Sequence, residues 1–316
     1  MDIKEFTYVV MSYKHKMYII EHLSSIKYQI THYGEEWKNH LIFVDDASKD
    51  GTVELAKRWI EENRELFESV TIEENENNIG TVKNFIRILK MLKTRLFKLL
   101  SADDLYYANN IYEAALQDRL VITPTIRFEN SKVLNETIWG NYRMLLGSRH
   151  LKWLLTEEFK ECWIIETPGT FWDSLYLKEE AYARLEDFRY IEDVIFFHYL
   201  ISETNIKVIY NSVPYIMYRM GGISTTKETS DQVKKYEEEV QKLEDEFFIR
   251  KKILSKGINI YRYYHGIKWR YYLYLAPVVR KKARDFIRSR YKEMRRAQEY
   301  LRMIEAESRT YKNEYQ

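Results

Sequence analysis

The sequence predicts an α/β fold in which a mostly parallel sheet is flanked by helices and followed by a C-terminal helical extension. Short apolar, β-branched segments alternate with segments of helical period through the first hundred residues. Polar and acidic residues collect where the predicted strands end. After residue 226 the pattern becomes charged and helical, so we place a domain boundary near residue 227.

Each predicted element follows from the period of its apolar residues. Buried strands are short, apolar and β-branched, whereas amphipathic helices repeat their apolar residues every three or four positions. In chain order the elements are the strand FTYVVM, a helix over residues 17–32, the strand LIFVDD, a helix over residues 52–67, the strand SVTIEEN, the helix TVKNFIRILKML, the strand RLFKLLSADD, the helix IEDVIFFHY and helical sequence over residues 231–256.

Composition restricts the class of protein. The chain has 316 residues, 45% hydrophobic and 31% charged, which is typical of a globular protein. Its single cysteine, Cys162, excludes an internal disulfide and favours a reducing, cytoplasmic setting. The first ten residues do not resemble a secretory signal. No stretch approaches the roughly 18 apolar residues that cross a bilayer, so we expect no membrane span.

The first acidic motif is VDDASKDGT, residues 44–52, at the end of the second predicted strand. Asp45 and Asp46 leave the sheet together, and Gly51 allows a tight turn. The two carboxylates are suited to hydrogen bonds with a base and a ribose. The alternative is a capped turn in which Asp50 or Thr52 begins the next helix.

Two further acidic pairs also have two interpretations. SADD, residues 101–104, follows an apolar strand, and its carboxylates either bind Mg²⁺ or Mn²⁺ or cap a helix near Asn109. Glu192 and Asp193 open the helix IEDVIFFHY, and they supply either a catalytic base or a charge that complements the helix dipole.

Taken together, VDDASKDGT, NNIGTVKNF, LLSADD and IEDVIFF, in this order, resemble the family-2 glycosyltransferases with a Rossmann-like GT-A fold, of the type that builds bacterial surface polysaccharides. The resemblance covers about residues 3–226. The family's first acidic motif holds uracil or thymine and the ribose, which implies that role for Asp45 and Asp46. Its later acidic pair supplies the catalytic base, normally the second acid, which implies Asp193 with Glu192 beside it.

The family's DXD element binds metal and diphosphate. Here the resemblance implies Asp103 and, less directly, Asp104 as ligands of Mn²⁺ or Mg²⁺, with Ala102 in the donor site. Ser101 departs from the pattern because it stands where the first aspartate of DXD is usual, so metal ligation should fall mainly on Asp103.

Other segments extend the expected donor and acceptor sites. Lys83 replaces the usual arginine beside Asn84 and can still offset phosphate charge. Arg219, in a segment that resembles the end of the family's catalytic domain, is either a diphosphate clamp or a surface arginine. Thr170 and Trp172 lie where such enzymes place the acceptor, although a tryptophan is more often a core residue.

The resemblance therefore implies an inverting, metal-dependent glycosyltransferase that moves a sugar from a UDP- or dTDP-sugar to a saccharide acceptor. It also implies that this acceptor is linked to a lipid and that the reaction belongs to surface-polysaccharide synthesis. One alternative is a nucleic-acid-binding protein that uses its basic, aromatic tail, although that leaves the acidic motifs without a role and we expect no nucleic-acid partner. Another is a GT-A domain that is catalytically inactive and serves as a scaffold.

The C-terminal region, residues 228–316, is the second expected domain. The net charge of the chain is only +2, but residues 257–303 carry an excess of about ten basic side chains. We expect this region to bind the anionic inner face of the cell membrane. Alternatively, its apolar stripe packs on the catalytic domain or on a second copy of the chain. The stripe comprises Ile287, Tyr291, Met294, Ala297, Leu301 and Ile304.

Overall fold

The computed structural model describes residues 4–134, 167–222, 230–248 and 277–314. The chain divides into two compact units, one comprising Met1–Lys227 with Ala297–Gln316 and the other Glu228–Arg296. The aromatic segment 261–274 and residues 135–166 lie outside the described residues.

A parallel four-stranded sheet forms the centre of the first unit. Its strands are β1 (Glu5–Ser12), β2 (Lys38–Asp45), β3 (Ser69–Glu74) and β4 (Leu96–Ser101), in the order β3-β2-β1-β4. The register pairs Ser12 with Asp45 and Met11 with Ser101, so these strands end at one edge of the sheet. The predicted α/β class with a mostly parallel sheet is confirmed.

Three helices connect these strands: α1 (Ile19–Tyr33), α2 (Thr52–Glu62) and α3 (Thr81–Met91). Each turns an apolar face to the sheet because its apolar residues recur every three or four positions. β1 is buried on both faces, as expected for the centre of a parallel sheet. The core contains, among others, Phe6, Tyr8, Leu23, Ile26, Trp59, Phe43 and Leu100.

Seven more strands and two helices complete the described part of residues 105–222. They are β5 (Leu105–Tyr106), β6 (Arg119–Ile122), β7 (Thr125–Glu129), β8 (Lys132–Val133), β9 (Thr170–Phe171), α4 (Glu179–Leu185), α5 (Asp193–Glu203), β10 (Lys207–Tyr210) and β11 (Ile216–Arg219). The strands form two small mixed sheets, β10-β6-β9 and β5-β11-β7-β8. β11 thereby returns next to β5, which directly follows the SADD motif.

The C-terminal helices are α6 (Asp231–Phe248) and α7 (Pro277–Glu314). The last part of α7 belongs to the first unit, which differs from the sequence-based division of 1–227 and 228–316. The physical reason is the apolar stripe: Ala297, Leu301 and Ile304 are fully buried, whereas Tyr291 is exposed. Among the described residues, no helix is long and apolar enough to cross a membrane.

Candidate active site

The carboxyl edge of the parallel sheet brings together the loops that follow β1, β2, β3 and β4. The β1–α1 loop (residues 13–18) lies against the loop after β2, since Lys14 N–H donates to Ser48 Oγ over 2.7 Å and Lys16 N–H to Asp50 Oδ2 over 3.3 Å. The sequence motifs therefore meet at the edge where ligands bind in such sheets.

Asp45 and Asp46, at the end of β2, are both buried, and both carboxylates accept hydrogen bonds from neighbouring loops. Asp45 Oδ1 accepts from Ser48 N–H over 2.7 Å, and its Oδ2 accepts from Ser48 Oγ–H over 2.8 Å. Asp46 accepts from the N–H groups of Ile79 (2.8 Å) and Gly80 (2.9 Å). Their carboxylates hold the loops after β2 and β3 in place, and their expected contacts with a base and a ribose remain a prediction.

A buried amide network extends this support into α3. Asn75 Nδ2 donates to Asp46 Oδ1 over 2.9 Å and to Asn84 Oδ1 over 2.7 Å. Asn84 Nδ2 in turn donates to Gly80 O over 3.0 Å. Asn84 is therefore a supporting residue, whereas Lys83 beside it is exposed and free to face an anionic ligand.

Gly80 brings the later acidic pair to the same edge. Its φ is +87°, and a Cβ there would lie only 2.7 Å from Arg189 Cγ. Val82 N–H donates to Arg189 O over 3.0 Å, which fixes the segment leading to Glu192 and Asp193 against the start of α3. Both acids are partly exposed, with Asp193 as the first residue of α5.

The SADD motif places its two aspartates in different environments. Asp104 is only 1% exposed, and its Oδ1 accepts from Arg219 N–H over 2.8 Å. Burial raises the pKa of the Asp104 carboxyl well above its ordinary value. Asp103 has 19% of its side chain exposed, with Oδ1 lying 3.9 Å from His15 Nε2. Asp103 is therefore the more exposed of the two expected metal ligands, and ligation by Asp104 remains a prediction.

Arg219 is enclosed rather than presented to a ligand. Its guanidinium lies between the rings of Tyr18 (4.1 Å) and Phe128 (4.4 Å). Nη2 donates to Glu21 Oε2 over 2.6 Å, and Nε donates to Asp103 O over 2.8 Å. Arg219 thus holds the backbone that carries Asp103, and its expected contact with a diphosphate remains a prediction.

Thr170 and Trp172 are core residues, and their expected contacts with the acceptor remain a prediction. Trp172 is 3% exposed and packs edge-on against Phe97 with ring centroids 5.2 Å apart. Thr170 is fully buried and donates from Oγ1 to Thr167 O over 2.9 Å. The tryptophan ring completes an aromatic cluster beneath α5 with Phe196, 5.4 Å away.

A divalent cation is implied by the DXD resemblance, and the donor set fits a site that is incomplete without substrate. Within the described residues, no group of three or more His, Cys, Asp and Glu is arranged to hold a metal ion. Mg²⁺ in phosphate-transfer sites is commonly bound by one or two carboxylates together with substrate phosphates and water. Asp103, partly exposed at the end of β4, meets that requirement, with the hydroxyl of Ser101 two residues before it.

The sequence motifs give no role to any histidine or to Glu21. In the structure, His15 lies beside Asp103, and Glu21 forms an ion pair with Arg219. The signal for His15 was its position three residues after the end of β1, the strand next to β4 in the sheet. For Glu21 no local signal existed, because its partner Arg219 is 198 residues away.

No curated protein matches the chain at a significant level. Similar solved structures include S. aureus TarS 1–349 in complex with UDP-GlcNAc, which is 17% identical with a TM-score of 0.47, the match covering 72% of this chain and 60% of that chain. Another is the mannosyltransferase PcManGT from Pyrobaculum calidifontis in complex with GDP-Man and Mn²⁺, at 18% identity, a TM-score of 0.43 and coverage of 67% and 56%. The chain thus covers less than two thirds of either structure.

The family model described as glycosyl transferase family 2 matches residues 7–166. This range is just over half of the chain and includes the motifs that end β2 and β4. Because this match covers more than half of the chain, and the parallel sheet carries acidic residues at its carboxyl edge, the chain belongs to glycosyl transferase family 2.

Proposed function

We propose that the chain transfers a sugar from a nucleoside diphosphate sugar, of the UDP or dTDP class, to an acceptor hydroxyl with inversion at the anomeric carbon. The observation that supports this proposal is the position of two partly exposed acids. Asp103 follows β4, and Asp193 begins α5 shortly after Arg189, whose carbonyl accepts from Val82 N–H at the start of α3. The neighbouring carboxylates Asp45, Asp46 and Asp104 are buried, whereas Asp103 and Asp193 are partly exposed.

Asp103 is the residue proposed to hold the donor's diphosphate through Mn²⁺ or Mg²⁺. The ion, when bound, would stabilise the negative charge that develops on the leaving diphosphate. Arg219 and Ala102 fix the backbone on either side of Asp103, through the contacts from Arg219 Nε to Asp103 O and from Ala102 N–H to Met11 O. Exposed Lys83 adds positive charge at the start of α3.

Asp193 is proposed as the general base, with Glu192 as the competing candidate. An acceptor hydroxyl attacks well only as its proton is removed. The hydroxyl proton moves to the Asp193 carboxylate, the oxygen forms a bond to the anomeric carbon, and the bond from that carbon to the phosphate oxygen breaks. The nucleoside diphosphate leaves from the opposite side, which inverts the anomeric centre without an enzyme nucleophile.

We further propose that the acceptor is a lipid-linked saccharide of a bacterial surface polysaccharide and that the enzyme works at the inner face of the membrane. The support is the basic sequence over residues 258–296, since each basic side chain near an anionic surface contributes about 1 kcal/mol. The burial of Ala297, Leu301 and Ile304 removes the end of the apolar stripe from this role. For these three residues, packing on the catalytic domain is the observed arrangement.

The test is a panel of nucleotide sugars with Mn²⁺, scored for donor hydrolysis and for thermal stabilisation. Stabilisation by one nucleoside diphosphate that requires Mn²⁺ and is lost in Asp103→Asn is the expected result. Asp187→Asn, a change at an exposed aspartate six residues before Asp193, is the matched control. Stabilisation by no nucleotide, or equally in Asp103→Asn, would exclude the proposed donor site. Binding without turnover would favour the inactive scaffold.

A further inference from the structure

The last turn of α7 reaches the candidate active site. Lys312 Nζ donates to Met17 O, in the β1–α1 loop, over 2.6 Å. One residue earlier, Tyr311 Oη–H donates to Glu62 Oε2 over 2.8 Å, at the end of α2. The C-terminal helix is thus tied to the β1–α1 loop and to the end of α2.

The position of this part of α7 is set by packing and by buried hydrogen bonds. Ala297, Leu301, Ile304 and Ser308 recur at steps of three and four and are buried, so one face of the helix lies against the first unit. Tyr300 Oη–H donates to Tyr106 O over 2.8 Å in a buried environment. A helix seated in this way presents Lys312 at a fixed place.

The β1–α1 loop depends on its backbone tethers. Met17 is 69% exposed, so its own side chain does not anchor the loop to the core. Lys14 has a left-handed φ of 57°, a conformation that a non-glycine residue adopts at a free-energy cost. Hydrogen bonds from the loop N–H groups to Ser48 and Asp50 hold one side of the loop, and the hydrogen bond from Lys312 to Met17 O holds the other.

The same loop leads to the residues that fix Asp103. His15 Nε2 lies 3.9 Å from Asp103 Oδ1, and Tyr18 stacks on the Arg219 guanidinium. Burial lowers the pKa of the Lys312 ammonium, while the nearby Glu21 carboxylate raises it, which places Lys312 in the electrostatic field of the Glu21–Arg219 pair. A shift of the loop would therefore move groups on both sides of Asp103.

We propose that Lys312 is a positioning residue of the glycosyltransferase, which holds the β1–α1 loop so that His15 and Asp103 face the donor diphosphate. This inference rests on the proposed function for its catalytic consequence. It makes the end of α7 part of the catalytic unit. Deletion of residues 258–316 would therefore remove this support from the catalytic unit.

The test compares Lys312→Met, which keeps the aliphatic stem but loses the donor, with Lys312→Arg, which restores a donor. Arg309→Met is the matched control, because Arg309 is exposed on the same helix one turn earlier. All are made in the full chain. Thermal unfolding, amide hydrogen exchange over residues 13–18, and kcat and KM for donor and acceptor are measured on each.

Lys312→Met is expected to speed amide exchange in the β1–α1 loop and to raise the donor KM about tenfold, with the acceptor KM and the unfolding temperature nearly unchanged. Lys312→Arg should recover most of both effects. Unchanged exchange over residues 13–18, or an equal effect in Arg309→Met, would overturn the positioning role. If no donor is turned over by the wild type, the proposed function fails, while the exchange comparison still decides whether Lys312 holds the loop.

Discussion

His22 should make the folded protein less stable as the pH falls from 7.5 to 5. The ring is fully buried on α1, with Nδ1 2.7 Å from Asp104 O. Within the described residues, Nε2 is buried without a hydrogen-bond partner. Burial lowers the pKa of His22 from 6.5 to about 4. The ring is therefore neutral in the folded state, with its proton on Nδ1 for donation to the carbonyl.

The direction of the stability change follows from the lowered pKa of His22 in the folded state. The unfolded chain takes up this proton near pH 6.5 and the folded chain only near pH 4, so acidification between these values favours the unfolded state. At pH 5 the folded state loses about 2 kcal/mol relative to pH 7.5 from this group alone, at about 1.4 kcal/mol for each pKa unit. The loss of stability begins as the pH falls below 6.5 and is complete below about 4.

The assay is urea unfolding of the metal-free protein at pH 7.5 and pH 5, for the wild type and for His22→Asn, whose amide nitrogen can replace Nδ1 as donor. Burial raises the pKa of both Asp104 and Glu21, which act in the opposite sense, so the difference between the two proteins isolates His22. The variant should lose about 2 kcal/mol less than the wild type. His32→Asn, at an exposed position of the same helix, should retain the wild-type dependence.

Two results would refute the reasoning. One is an equal pH dependence in the wild type and His22→Asn. The other, which does not depend on the variant folding, is an NMR titration of the wild-type His22 ring with a midpoint near 6.5.

Four further predictions concern the site and the C-terminal region. Asp103→Asn should weaken Mn²⁺-dependent nucleotide binding at least tenfold by calorimetry, and unchanged binding would place the metal elsewhere. Asp193→Asn should lower kcat by about 10² or more with donor binding nearly intact, whereas a dead Glu192→Gln beside an active Asp193→Asn would transfer the role of base. Trp172→Ala should cost about 3 to 5 kcal/mol in urea unfolding, and Trp172→Phe should keep the acceptor KM because the ring is a core residue. The full-length protein should sediment with anionic vesicles at low salt and not with neutral ones, and failure to do so would remove the membrane role proposed for residues 258–296.

The α/β class and the edge of the sheet at which the acidic motifs meet follow from the sequence alone. Strand and helix periods are local patterns, and residues at the ends of parallel strands must meet at one edge of the sheet. The family resemblance rested on the same local patterns, and the family match confirms it. The fold class and the meeting of the motifs at one edge of the sheet could therefore be predicted without coordinates.

Tertiary contacts distinguish the two adjacent acids of the SADD motif. Asp103 and Asp104 look equivalent in the sequence, but successive residues point in different directions, and Asp104 meets the backbone of Arg219 while Asp103 remains partly exposed. Arg219 itself is used by Glu21, which is 198 residues away, and no local pattern encodes such a partner.

The apolar stripe on α7 also combines a local sequence pattern with a tertiary contact that the pattern does not specify. Its period determined that one face of the helix would be covered, but a period does not specify whether lipid, a second chain or the catalytic unit provides the cover. The structure decides this for Ala297, Leu301 and Ile304, which pack on the first unit. Burial depends on the surface that meets a side chain, and that surface comes from residues distant in the chain.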